Sequence, residues 1–148
     1  MKKTSTIFVL TMTALLCLPA LAAGPVDEAA VLAAVRANLA ALQNEDLEGY
    51  MATIHEDASE YASTRQIVAR LFEDYDLEYE LEQLELVEDE EDEPAAPDEA
   101  RVRFVQVTRL VKGGEFRDNR VTGAHTLKTA AGRWKLLSTE VQNIEYLP

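Results

Sequence analysis

The stretch that most constrains this chain runs from Glu115 to Leu147. It reads EFRDNRVTGAHTLKT, then AAGR, then WKLLSTEVQNIEYL. Val121, Thr122, Thr126, Leu127 and Thr129 suit a pleated, half-buried surface. Ala130 to Arg133 is a short Gly-containing connection, so the two arms are predicted to pair antiparallel. Each arm is about 13 residues, against a usual strand length of roughly 5–6. A sheet that long twists and bends. Gly123, inside the first arm, marks a bend or a close approach of another backbone. A bent hairpin presents a concave face that something must cover, and the first half of the chain supplies helices to do so.

Val26 to Gln43 is predicted to be helical. Val31, Val35, Leu39 and Leu42 recur at helical spacing, with Asp27 and Glu28 in the first turn and Pro25 just before it. Asn44 is the expected N-cap of a shorter second helix, carrying Leu47, Tyr50, Met51 and Ile54 and ending near His55. Ser63 with Gln66 three residues on has the pattern of a capping box, so a third helix is expected from Ser63 or Thr64. Its apolar face would hold Ile67, Val68, Leu71, Phe72 and Tyr75.

From Asp76 the period becomes two. Leu77, Tyr79 and Leu81 share a parity; Leu84 and Leu86 take the opposite one. That slip predicts a bulge near Glu82-Gln83. The charged segment 88–99, which contains prolines and no core-forming residues, reads as an exposed acidic loop. Arg101 to Val111 forms another strand, and Lys112-Gly113-Gly114 turns into the hairpin. Three N-terminal helices packed on one face of a curved antiparallel sheet of about four strands make an α+β domain.

Residues 1–22 are expected to be a secretory signal: Lys2 and Lys3, an apolar run from Ile7 to Leu21, and the small-x-small site Ala20-Leu21-Ala22. The run is shorter than the roughly 20 residues a spanning helix needs. The only cysteine, Cys17, lies within it and would be lost on cleavage, leaving an exported, periplasmic or secreted chain without disulfides. Residues 25–148 then form one domain. The net charge of −13 argues against nucleic acid or a membrane as partners of the mature form. Acidic residues concentrate in the first two-thirds of the sequence, and most basic ones lie between Arg101 and Lys135.

The long first helix, the short second one with N-E-D-L-E-G-Y at the junction, the run of strands and the closing Gly132-Arg133-Trp134-Lys135-Leu136 resemble the nuclear transport factor 2-like superfamily, the SnoaL-like and ketosteroid-isomerase-like cone fold. The resemblance covers nearly all of the chain after the signal. It implies a curved sheet wrapped round helices, a pocket in the cone and frequent dimers. Its members include isomerases, dehydratases and cyclases, and others without catalysis, so the fold does not supply a function.

Enzymes of such a family work by acid–base chemistry in a dry pocket. His125 shares a parity with Val121, Gly123 and Leu127 and is the catalytic candidate, a satisfied or solvent-facing imidazole being the alternative. His55, followed by Glu56-Asp57, reads as an exposed helix end. Tyr50, Tyr61, Phe72, Tyr79 and Trp134 are candidate pocket-lining residues, although aromatic side chains at these spacings also make plain core. Arg103, Arg109 and Arg120 lie on strands. Arg120, if it points into the cone, would receive an anionic ligand; otherwise such arginines pair with acids across the strands. No metal and no cofactor are expected, for no His pair stands at ligand spacing and no phosphate-cradling Gly loop or nucleophile elbow is present. The expected function is an exported domain that binds a small apolar or amphipathic molecule or self-associates, as a homodimer through the sheet. One alternative is a small lyase or isomerase using His125 with Tyr50 or Tyr61. The other is an accessory module docking a protein on an apolar outer sheet face.

Overall fold

The computed structural model describes residues 26–88 and 96–148. The expected signal at 1–22, with Cys17, lies outside the described residues, as does most of the acidic segment 88–99.

The chain runs α1 (Glu28–Gln43), α2 (Leu47–Ala52), α3 (Tyr61–Asp74), β1 (Tyr75–Val87), β2 (Glu99–Gly113), β3 (Asn119–Ala130) and β4 (Arg133–Tyr146). The strands form one antiparallel meander in the order β1-β2-β3-β4. In α1 the residues Val31, Val35, Asn38 and Ala41 are buried, a stripe at helical spacing that lays the helix on the sheet. It touches both outer strands, β1 and β4, so the sheet curves round it. Val31, Val35, Ile54, Ala100, Val102, Leu127 and Leu136 make the core. Leu127 and Val102 have no exposed surface; an aliphatic side chain buried so completely contributes about 1.5–3 kcal/mol.

The helix starts differ from the sequence reading, each for a local reason. Asp27 is the N-cap of α1, its carboxylate accepting from the Ala30 amide at 3.2 Å. Asn44 ends α1 rather than starting α2. Glu45 follows with φ 52°, reversing the chain, and Asp46 caps α2 by accepting from the Gly49 amide at 2.9 Å. Helix α2 ends at Ala52, before His55. The expected capping box does not form: α3 begins at Tyr61, and the Ser63 hydroxyl donates backward to the Glu60 carbonyl at 3.0 Å. Ile67, expected on the apolar face of α3, is 62% exposed, while Val68 is buried.

Four register shifts shape the sheet. One lies between Asp76 and Leu77, at the start of β1, and one between Leu81 and Gln83, at the expected bulge. The other two lie in the hairpin, where Leu127 pairs with Leu136 but Thr126 with Ser138, and Gly123 with Val141 but Thr122 with Asn143. Leu137 and Gln142 are therefore the extra residues of β4. Between the arms, Ala131 (φ 50°) and Gly132 (φ 76°) make a two-residue turn with both central φ angles positive, the twist that suits a tight hairpin.

The convex face of the sheet is covered by ion pairs. Arg109 meets Glu80 (2.9 Å), Arg101 meets Glu140 (2.9 Å), and Arg120 meets both Glu82 (2.8 Å) and Glu145 (3.1 Å). Arg120 is on β3 and Glu82 on β1, so their bridge crosses β2. Val107, which pairs with Glu80 on one side and Arg120 on the other, is fully buried beneath this layer.

Candidate functional site

Between α1 and the concave face lies a cavity of about 490 Å³, within the range of small-molecule sites. Val35, Leu39 and Leu42 of α1 form one wall, and Phe104, Val121 and Leu136 of the sheet form the opposite one. Polar side chains interrupt this apolar frame, among them Asn38, Tyr50, Gln106, His125 and Thr139 within it and Ser59, Glu60 and Thr64 at its exposed end.

His125 is placed by a chain of local constraints. Gly123 pairs directly with Phe104, and a Cβ at Gly123 would stand 2.9 Å from the Phe104 ring and 2.4 Å from the Glu140 carbonyl oxygen. The missing side chain lets the Phe104 ring lie over the strand and reach His125, two residues on. The two rings stack with centroids 4.2 Å apart and 12° between planes. Opposite, across the β3–β4 pair, the Thr139 hydroxyl is 2.8 Å from His125 Nδ1. Burial lowers the pKa of His125 to about 4, so the ring is neutral at physiological pH. Neutral imidazole has one donor and one acceptor nitrogen. With Nδ1 engaged by Thr139, Nε2 has no hydrogen-bond partner among the described residues.

At the helical side, Asn38 is buried and donates to Thr53 Oγ1 at 2.7 Å, while that hydroxyl donates to the Tyr50 carbonyl at 2.6 Å. The Tyr50 phenol is pushed up by burial, an effect partly offset by the Asn38 amide. Tyr50 and His125 thus line the same cavity. Tyr79 lines a second depression of about 460 Å³ between α1 and β1, with Arg36, Gln43 and Leu84. Its phenol is raised to about 12, chiefly by burial and then by Tyr50 and Glu45. Tyr61 and Trp134 pack on the margin of the core. Phe72 is half-buried on α3 and lines neither space. Arg120 sits on the convex face, held by Glu82 and Glu145, away from the cavity.

His55 is not an exposed helix end. It is 6% exposed, its Nδ1 accepts from the Asp57 amide at 3.0 Å, and its own amide donates to the Leu136 carbonyl at 2.7 Å. It pins the segment after α2 to β4, beside the parallel bridge of Ile54 with Leu136. Among the described residues no three His, Cys, Asp or Glu side chains form a metal-binding group.

Asn38, Gln106 and Thr139 were not singled out by the sequence. Asn38 had a signal: it falls three residues after Val35 and seven after Val31, a polar residue inside an apolar stripe. Gln106 shares the parity of Val102 and Phe104. Thr139 had no such mark, because the bulge at Leu137 changes the parity that leads to it.

A family model described as the anti-sigma-I factor RsgI9, C-terminal domain, matches residues 33–147, from within α1 to the end of β4. The chain belongs to this RsgI9 C-terminal domain family. Solved proteins of the nuclear transport factor 2-like kind share the fold of this RsgI9-like chain. A ketosteroid isomerase-like protein from Erwinia carotovora atroseptica is 21% identical with a TM-score of 0.55, over 75% of this chain and 91% of that one. A protein from Streptomyces avermitilis described as a dehydratase of the NTF2-like family is 14% identical with a TM-score of 0.61, over 78% and 94%. Bd1075 of Bdellovibrio bacteriovorus is 18% identical with a TM-score of 0.59 over 72% of this chain, which spans only 37% of Bd1075. These likenesses show the fold alone. No curated protein matches the sequence.

Proposed function

We propose that this chain is an exported binding domain whose cone holds one small, largely apolar molecule, oriented by His125. The observation that carries the reading is the neutral imidazole in the cavity, stacked on Phe104 and tied by Nδ1 to Thr139. A mostly apolar cavity with a few fixed polar groups favours binding, and Nε2 selects a guest that completes its hydrogen bond. Catalysis has thinner support. Glu60 is the only carboxylate lining the cavity among the described residues, and it is exposed. A buried carboxylate base is therefore lacking there, and the His125 imidazole, lowered to about 4, is a weak proton acceptor. The family name supports the same preference, since it belongs to part of an anti-sigma-I factor rather than to an enzyme.

The lyase or isomerase reading keeps one favourable observation: His125 and Tyr50 do line one cavity. The protein-docking reading on the outer sheet face loses its main premise, because that face carries ion pairs. Val141, Ile144 and Tyr146, although exposed, pair with Gly123, Val121 and Asn119 and so share the concave side.

Native mass spectrometry of the mature protein, purified from its own export pathway, tests the proposal. The expected result is a species cleaved near Ala22 that carries one retained small molecule per cavity, and the same spectrum counts subunits. A bare chain that also takes up no 2-(1-naphthyl)ethanol on titration would overturn it.

A further inference from the structure

The charges round the cavity are one-sided. No lysine or arginine lines it among the described residues. The arginines of the strands are turned away: Arg101, Arg109 and Arg120 all meet acids on the convex face. Arg65, one turn into α3, is taken by Glu48 through two hydrogen bonds of 2.5 and 2.9 Å. One formal charge remains at the cavity wall, the Glu60 carboxylate. It is exposed, so it stands at the mouth, together with Ser59 and Thr64 from the loop before α3 and from α3 itself. It makes no ion pair among the described residues, and its nearest polar partner is the Ser63 hydroxyl at 3.4 Å. It also gives no side-chain cap to α3, so its position is not explained by helix capping.

From this asymmetry we infer that the guest is an amphipathic amine: an apolar, ring-sized body within the cone and a protonated nitrogen at the mouth, facing Glu60. The body sits against Phe104 and the aliphatic walls. An ammonium head gains the Glu60 carboxylate without leaving water, so it keeps most of its hydration. A carboxylate head would meet Glu60 with no compensating cation and would approach a chain of net charge −13. The hydroxyls of Ser59 and Thr64 accept from an ammonium as readily as water does. This inference rests on the cavity being a ligand site.

The test compares three probes with one ring system and one changed head group: 2-(1-naphthyl)ethylamine, 2-(1-naphthyl)ethanol and 1-naphthylacetate. Their affinities are read by fluorescence on the full mature chain and on Glu60→Gln. The amine is expected to bind about threefold more tightly than the alcohol at low ionic strength, the size of an exposed ion pair, and the acetate more weakly than either. The preference for amine over alcohol is expected to vanish in Glu60→Gln and at about 1 M salt, where the screening length is about 3 Å. The alcohol is the reference in both proteins, so any general effect of the substitution on the cavity cancels in the ratio of the two affinities. Equal binding of amine and alcohol, or a preference that survives in Glu60→Gln, overturns the amine inference and leaves the cavity reading standing. Failure of all three probes to bind overturns both.

Discussion

Gln43 and Tyr79 are joined by a hydrogen bond that closes the outer edge of the sheet. The Tyr79 amide donates to Gln43 Oε1 at 2.9 Å, and Gln43 Nε2 donates to the Leu77 carbonyl at 3.5 Å. Residues 77 and 79 of an edge strand turn their free backbone groups to the same side. One side-chain amide from the last turn of α1 therefore occupies the place of a fifth strand. Open edges invite pairing between molecules. Gln43→Ala should cost about 1 kcal/mol in urea unfolding and make light scattering concentration-dependent. A monodisperse, equally stable variant would show that the amide does not guard the edge.

Gly123 should tolerate no side chain. A Cβ there would collide with the Glu140 carbonyl oxygen and with the Phe104 ring. Backbone on one side and a buried ring on the other leave little room to yield. Gly123→Ala is expected to destabilise the fold by about 1–3 kcal/mol, the range for overpacking, and to weaken any cavity ligand by moving Phe104 off His125. Denaturant melts and a ligand titration check both effects.

The depressed pKa of His125 makes stability depend on pH in a defined window. Above pH 6.5, its ordinary value, the ring is neutral in both folded and unfolded chains. Between 6.5 and about 4 the unfolded chain takes up a proton that the folded one refuses, so stability falls as pH falls. Below about 4 no further loss comes from this group. The whole effect is at most about 3 kcal/mol. His125→Gln should lack this part of the acid slope. Parallel slopes for the two proteins between pH 7 and 4 would show that the imidazole is not buried in solution.

Arg120 offers a control. Its guanidinium pKa is raised by hydrogen bonds to Glu82 and then Glu145, yet all three side chains keep substantial exposure. Exposed pairs contribute little and are screened by salt. Arg120→Met should lower the melting temperature only slightly, less so at high salt, and leave the binding of 2-(1-naphthyl)ethanol unchanged. A loss of binding would move the site to the convex face.

Much of the architecture was legible because it rests on periodicity. The change from helical to alternating spacing near Asp76 put the helices and the sheet in the right order, and the parity slip at Glu82 located the bulge between Leu81 and Gln83. Helix starts were less legible, since Asn44, Asp46 and Ser63 all suit a cap by type, while Glu60, which precedes α3, does not, and only the turn at Glu45 decides between the first two. For the site, Tyr50 and His125 could be found by residue type and parity. Arg120 could not be placed beforehand, because which parity faces the helices depends on packing partners far along the chain. In β4 the sequence has apolar residues at both parities, Trp134 and Leu136 on one, Leu137 and Val141 on the other. That pattern fits either a sheet covered on one side and dimerised on the other or a bulge; a bulge is present at Leu137, and it brings Leu136 and Val141 to the same face.

That extra residue has a consequence for how such a chain can change over time. Exchanging Leu137 for another side chain alters one patch of the cavity lining. Deleting it takes out the one residue there without a cross-strand partner, so the later pairs stand as before, Thr139 with His125, Glu140 with Ala124 and Val141 with Gly123. The extra residue is thus a reserve of length. A lineage can lose one residue at this point and keep the binding wall facing the cone, whereas a fully paired strand that lost one would turn that wall inside out in a single step.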